Sequence, residues 1–266
     1  MNYDEKIVTH EYLKDDVLCY WQMSGDIDYI VGIHSRFLPK GQNLLIFNHG
    51  SDIEYLDATK FKCLNPKIFV VPAFATSRRI NQKGKIDLFG ISFIGDGLYK
   101  LMKQPISKIA GGFPDALQQK IEELNAELSV LSFSKKTKCA EKFLTGNLDR
   151  NLNSPPLQQA IKIIHQSKGI ITVSEIANNV YVSERQLQRL FKTRIGISPK
   201  DYCKIIRVNN YMDFILSKDN PVDWMELVVE YNYHDQPHLI NEVKSIAKLA
   251  PKKLQSYRDT LYHRFI

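Results

Sequence analysis

Residues 183–199, SERQLQRLFKTRIGISP, return in degraded form 52 positions later, and this repeat constrains the C-terminal part of the chain more than any other feature. The shift pairs Leu187 with Leu239, Phe191 with Val243, Lys192 with Lys244, Ile195 with Ala247, Ile197 with Leu249 and Pro199 with Pro251. Upstream, VSEIANNVYVS (173–183) lies over WMELVVEYNYH (224–234) at an offset of 51. Each copy reads as a short helix, a turn and a longer helix. In the first, Ser183 caps the longer helix and Gly196 and Pro199 end it. Leu187, Leu190, Phe191 and Ile195 share one side, while Arg185, Gln188, Arg189 and Lys192 fall at i, i+3, i+4 and i+7 on the other. A helix-turn-helix needs a small residue where its helices cross, Ala177 or Val228, and a turn residue that can leave the helical region. Asn232 suits that turn and Tyr181 suits it poorly. The amphipathic stretch from Pro199 to Leu216 joins the copies.

The preceding residues have a different texture. Short β-type runs broken by turn residues begin at Val17, Tyr29, Asn43, Lys67 and Ile86. A short helix from Gly97 and longer ones over about 115–128 and 134–148 follow. The 266 residues suggest two domains, with 44% hydrophobic content to build a core in each. The expectation is an α+β chain. Residues 1–146 form a small antiparallel β-barrel or sandwich with interface helices, the polar NLDRNLNSPP (147–156) is a linker, and 157–266 are an all-α domain of two helix-turn-helix modules, with seven or so helices.

The net charge of +7 is concentrated: residues 152–266 hold 16 basic against 11 acidic residues, and 170–207 hold seven against three. That suits a polyanion. No apolar run reaches a membrane span and the N-terminus lacks a signal-peptide pattern, so a cytoplasmic location and no membrane partner are expected. Cys19, Cys63, Cys139 and Cys203 are scattered without metal-like spacing and read as reduced and structural. Histidines 10, 34, 49, 165, 234, 238 and 263 form no H-x-H or H-x-x-x-H pair within one element. There is no G-x-S-x-G and no glycine-rich phosphate loop, so neither catalytic residues, cofactor nor metal are expected. Arg78, Arg79, Lys83 and Lys85 read as a solvated loop or an anion site.

The pattern ITVSEIANNVYVSERQLQRLFKTRIGISPKDYCKIIR, followed by PVDWMELVVEYNYHDQPHLINEVKSIAKLAPKKLQSYR, resembles the AraC/XylS family of bacterial transcription regulators over residues 157–258. The resemblance implies two modules joined by a linker helix and placed in successive major grooves, with Arg185, Gln188 and Arg189 at base-contacting positions. It also implies RNA polymerase as a partner, and the N-terminal part loosely resembles the sensing domains of such regulators. The chemistry agrees: Arg bonds guanine O6 and N7, and Gln bonds adenine N6 and N7, each in bidentate fashion. Lys192 suits a phosphate, and Ser183 caps its helix and stands near one.

The second copy departs from this pattern. Pro237, Ile240, Asn241 and Lys244 occupy the equivalent positions, with Glu242 beside them opposing a phosphate backbone. Residues 219–258 hold five basic and six acidic side chains. Asn241 and Lys244 are therefore the second copy's candidate DNA contacts, and asymmetric reading is expected. Double-stranded DNA is the expected partner, with a homodimer and a small-molecule effector as further candidates. Trp21, Tyr29 and Phe47 are either walls of an effector pocket or core residues. Two competing readings are a protein-interaction or anti-regulator module whose second half no longer reads DNA, and a cupin-type enzyme built around His34 and His49.

Overall fold

Apolar side chains alternate along three neighbouring strands, and this gives the central sheet two buried faces. In the computed structural model the described residues are 2–27, 36–57, 60–64, 67–82, 84–217 and 224–251. Nine strands are described: β1 Asn2–Ile7, β2 Val17–Ile27, β3 Arg36–Phe37, β4 Asn43–Asn48, β5 Ile53–Asp57, β6 Lys60–Leu64, β7 Ile68–Val71, β8 Arg78–Gln82 and β9 Gly84–Phe93. They form two antiparallel sheets, ordered β1-β2-β9-β4-β7 and β3-β8-β5-β6, so the N-terminal part is sandwich-like rather than a closed barrel. The strand expected from Tyr29 lies mostly outside the described residues.

On the larger sheet, Cys19, Trp21 and Met23 of β2, Ile46 of β4 and Ile86 and Leu88 of β9 build one apolar cluster. The intervening Tyr20, Leu45, Phe47, Phe89, Ile91 and Phe93 face the other way, into a cluster with the helices that follow. Trp21 pairs in register with Gly90, and a Cβ at Gly90 would lie 2.0 Å from the indole. The ring occupies the space a side chain would take.

The covering helices are α1 Gly97–Met102, α2 Asp115–Leu128 and α3 Phe133–Asn147, with a 3-10 turn at Ile106–Gly111. Leu117, Ile121, Leu124 and Leu128 of α2 and Ala140 and Leu144 of α3 repeat at helical spacing and are buried against the sheet. After a short turn at Arg150–Leu152 come α4 Pro155–Gln166, α5 Val173–Asn179, α6 Glu184–Arg194, α7 Pro199–Ser217, α8 Trp224–Glu230 and α9 Gln236–Ala247. The C-terminal part thus shows six helices among the described residues. Its first module closes around Leu187, Phe191 and Ile195, and its second around Leu239, Val243 and Ala247, the same positions of the repeat. Ala177 and Val228 are buried at the two helix crossings, and Gly169 lets the turn after α4 sit on α7, where a Cβ would lie 2.3 Å from the Cys203 carbonyl oxygen.

One buried ladder of alternating charge ties these parts together. Lys100 of α1 is fully buried, with its Nζ 2.7 Å from Asp16 Oδ1 and 3.0 Å from Asp96 Oδ1. Asp16 Oδ2 meets Arg150 Nη1 at 2.9 Å, and Asp96 Oδ2 meets Arg194 Nη1 at 2.8 Å. Arg194 also donates to the Leu152 carbonyl, and its guanidinium lies 4.6 Å from the Tyr99 ring centre. The segment 147–156 is therefore bonded on both sides: Arg150 reaches the β-rich part, and Leu152 receives the last residue of α6. A buried carboxylate needs a close counter-charge, because desolvation otherwise outweighs what it gains. Lys100→Met is expected to lower unfolding free energy by about 3 to 5 kcal/mol in urea titrations, the range for breaking a buried ion pair from one side. A loss below about 1 kcal/mol would show that Arg150 and Arg194 alone suffice for the two aspartates.

Candidate nucleic-acid interface

The two modules share backbone geometry more closely than sequence. Tyr181 and Asn232 both adopt left-handed turns, at φ 55° and 52°. In each turn the next N–H reaches back into the first helix, Val182 to Ala177 O at 3.0 Å and Tyr233 to Val228 O at 2.9 Å. Tyr181 thus fills the turn despite its unsuitable side chain: the helix crossing imposes the conformation, and the ring projects out at 95% exposure. The exits match as well, Gly196 at φ 102° and Lys248, 52 residues on, at φ 55°.

Along α6, Arg185, Gln188, Arg189 and Lys192 are all exposed while Leu187 and Phe191 are buried behind them. The helix begins with a reciprocal cap: Gln186 N–H donates to Ser183 Oγ at 3.2 Å, and Gln186 Oε1 accepts from Ser183 N at 2.9 Å and from its hydroxyl at 2.9 Å. The Ser183 proton is committed to Gln186, so a phosphate bond from that hydroxyl requires giving up the cap. Gln186 escaped the sequence reading, although Ser followed three residues later by Gln is the capping pattern.

On α9, Asp235 caps the His238 N–H at 2.7 Å and Pro237 takes an early position that needs no N–H. Pro237, Asn241 and Lys244 are exposed, with His238 and Lys248 extending that surface, and Ile240 is half-buried. Glu242 does not stand beside them. Its carboxylate turns inward, accepting from Arg207 Nε and Nη2, both at 2.8 Å, and from the Tyr233 hydroxyl at 2.9 Å, with the residue 7% exposed. The expectation that Glu242 opposes a phosphate backbone is corrected on this point: at helical spacing it follows Leu239 by three and precedes Ile246 by four, on the buried side. Burial, and then the Glu242 charge, hold the Tyr233 phenol well above its ordinary pKa, so it stays a donor. With Glu242 withdrawn, the exposed face of α9 is cationic and amide-bearing.

A cleft of about 130 Å³ opens at one end of the larger sheet, lined by Tyr3, Trp21, Lys40, Gln42, Phe74 and Ser92 among others. Trp21 is a wall residue there. Phe47 is not: its position in β4 turns it into the helix-covered cluster, fully buried, one residue out of phase with Ile46 on the cleft side. Tyr29, the third candidate wall, lies outside the described residues. Burial pushes the thiols of Cys19 and Cys203 up to about 11, which keeps them protonated and unreactive. Among the described residues no three His, Cys, Asp or Glu side chains converge on a metal-sized site; His49 instead bonds Asn125 at 3.0 Å, and His34 is not described. No helix among the described residues is long and apolar enough to cross a membrane.

Fold and surface together define a protein with a paired helix-turn-helix DNA-binding part. A family described as "Helix-turn-helix domain" matches residues 176–257, and one described as "Domain of unknown function (DUF6597)" matches residues 5–113. Residues 176–257 are thus a helix-turn-helix domain of the type found in AraC-family transcription regulators. The chain is 24% identical over 105 residues to the HTH-type transcriptional regulator ArgR of Pseudomonas aeruginosa, a match spanning 39% of this chain and 31% of that one. Similar solved structures include an AraC-type transcriptional regulator from Chromobacterium violaceum, 22% identical over 40% of this chain and 95% of that one, TM-score 0.36. ToxT from Vibrio cholerae is 11% identical over 96% of this chain and 98% of its own, TM-score 0.46.

The inward turn of Glu242 separates two outcomes. Glu242→Gln should cost about 3 kcal/mol of stability by leaving Arg207 without its counter-charge, and should not tighten binding to DNA. Tighter binding with unchanged urea stability would return the carboxylate to the DNA side.

Proposed function

We propose that this chain is a sequence-specific DNA-binding regulator that reads its operator asymmetrically. The observation carrying this is the stripe of four exposed side chains, Arg185, Gln188, Arg189 and Lys192, on a helix capped at its start and buried along its back. Arg185, Gln188 and Arg189 are assigned to base edges in the major groove, and Lys192 to phosphate. Ser183 is assigned to the phosphate-proximal helix start. In the second module Asn241 and Lys244 supply one amide and one cation, and Lys248 a further cation, so that α9 contributes chiefly affinity. Withdrawal of Glu242 favours DNA over a purely protein-binding second module, because the exposed carboxylate left on that face is then Asp235, at the helix start and engaged in capping the His238 N–H.

We assign the cleft to a small effector. A cavity near 150 Å³ holds a molecule about the size of benzene, so the 130 Å³ here suits a single ring or a short chain. The indole and phenyl walls of Trp21 and Phe74 would take its apolar body, and Lys40 at the rim an acidic group. The two loops that frame the cleft, 38–42 and 72–77, also touch the DNA-binding part, so an occupant that moves either loop is felt there.

Selection of binding sites with the intact protein is the test: it should return one sharply defined segment and a vaguer one about 10 base pairs away. Arg189→Ala should weaken binding by about 5- to 150-fold and relax preference at a single base, the effect of one lost bidentate pair. Asn241→Ala should cost about threefold or less. Equal losses for the two variants, with two equally sharp segments, would overturn the asymmetry; absence of any selected sequence would overturn the regulator itself.

A further inference from the structure

The β-rich part grips the same end of both recognition helices. At the end of α6, Arg194 is held by Asp96 and the Leu152 carbonyl, and Gly196 packs so closely on Ile106 that a Cβ would lie 2.9 Å from its Cγ2. At the end of α9, Ser77 N–H donates to the Ile246 carbonyl at 2.6 Å and Ser77 Oγ–H donates to the Ala247 carbonyl at 2.7 Å. A helix leaves its last four carbonyls without internal partners. Two of those of α9 are satisfied by a serine some 170 residues earlier in the chain.

The gripping loop is short and stiff. Ala73 packs in the core of the first module, and Ser77 caps the second, so the five residues 73–77 bridge the two modules. Ala73 N–H is anchored on the buried Asn43 side chain at 2.9 Å, and the Arg78 guanidinium lies 4.6 Å from the Phe74 ring centre. A second loop holds α7, the helix that joins the modules: Asn209 donates to the Pro39 carbonyl at 3.1 Å, and Gly41, at φ 71°, lies against the Tyr202 ring. All of these contacts leave Arg185, Gln188, Arg189, Lys192, Asn241 and Lys244 exposed.

We infer that this brace fixes the separation and rotation of the two recognition helices before DNA arrives, and that Ser77 and Arg194 are positioning residues for operator reading. The inference rests on the assignment of α6 and α9 to DNA. Two recognition helices fit successive grooves only if their separation matches one helical turn of the duplex, about 34 Å. A single connecting helix, α7, can bend. Holding the end of α6 through Asp96 and Ile106 and capping the end of α9 through Ser77 removes that freedom, so the N-terminal part acts in reading even where it touches no base.

The test uses the full chain with nitroxide labels at the exposed positions Gln188 and Asn241 (Q188C and N241C), the native cysteines being replaced by alanine. Without DNA the braced protein should give one narrow inter-label distance, and Ser77→Ala combined with Arg194→Gln should broaden it. On duplexes whose two selected segments are moved by one or two base pairs, the braced protein should forfeit the second segment's base contacts, a loss of about threefold, and the double variant should lose measurably less. Affinity for a duplex carrying the first segment alone should be the same for both proteins. A distance as narrow in the double variant as in the braced protein, or a broad one in both, overturns the brace. So does an equal loss by the double variant on the single-segment duplex, which would make Arg194 a direct contributor to the first module's binding. If the double variant is unfolded by circular dichroism, Ser77→Ala alone, which removes one hydroxyl, must still broaden the distance. A narrow distance that broadens on mutation, in a protein that binds no DNA sequence, would leave the brace standing and remove the regulator reading.

Discussion

The organisation of this protein depends on a lysine that water does not reach. Lys100 sits between Asp16 and Asp96, and each aspartate is completed by an arginine from elsewhere, Arg150 on one side and Arg194 on the other. The resulting order is positive, negative, positive, negative, positive. No member can be withdrawn without exposing a buried neighbour to the full cost of desolvation. Such a ladder adds little net stability over an apolar equivalent, yet it allows few alternative arrangements. It specifies where the last turn of α6 must lie relative to α1 and to the turn before β2.

That placement matters because the surfaces we assign to DNA and those facing the β-rich part lie on the same helices. On α6 the exposed cations occupy one stripe, the apolar residues another, and Arg194 ends the helix pointing back toward Asp96. On α9 the division is maintained by Arg207, Tyr233 and Glu242, which gather the one acidic side chain of that helix into the interior. A carboxylate two residues before the exposed Lys244 is thus neutralised in the interior by Arg207. The cleft framed by loops 38–42 and 72–77 stands where small displacements would reach both recognition helices through Ser77 and Ala73.

Much of this was legible in the residues themselves. The in-register repeat of Leu187 with Leu239 and Phe191 with Val243 announced two copies of one supersecondary unit, and helical spacing sorted α6 into its two faces. The short apolar runs of β2, β4 and β9, broken by turn residues, announced strands. Where the reading stayed open or went astray, a residue was judged by its neighbours in the chain and not by its phase. Phe47, open in sequence between pocket wall and core, belongs to the core because Ile46 has the parity of the cleft side, and Glu242, which sequence neighbourhood sets against phosphate, turns inward by its spacing from Leu239 and Ile246. Tyr181 was judged on intrinsic preference, which a tight helix crossing overrides at a cost of about 1 to 2 kcal/mol.

By itself, then, the sequence determined the helices and the main strands, the two-copy plan and the exposed cationic stripe, because each follows from local periodicity or from a repeat at fixed offset, whereas β1, β5, β6 and β8 carried no such signal. The tertiary structure alone decided which charges meet and which helix ends are capped by what. Asp16 and Lys100, Asp96 and Arg194, and Ser77 and Ala247 are separated by 84, 98 and 170 residues and carry no common spacing. Their partnerships arise when packing removes water from several segments at once, and a buried polar group must then find its complement among whatever the fold has brought within 3 Å.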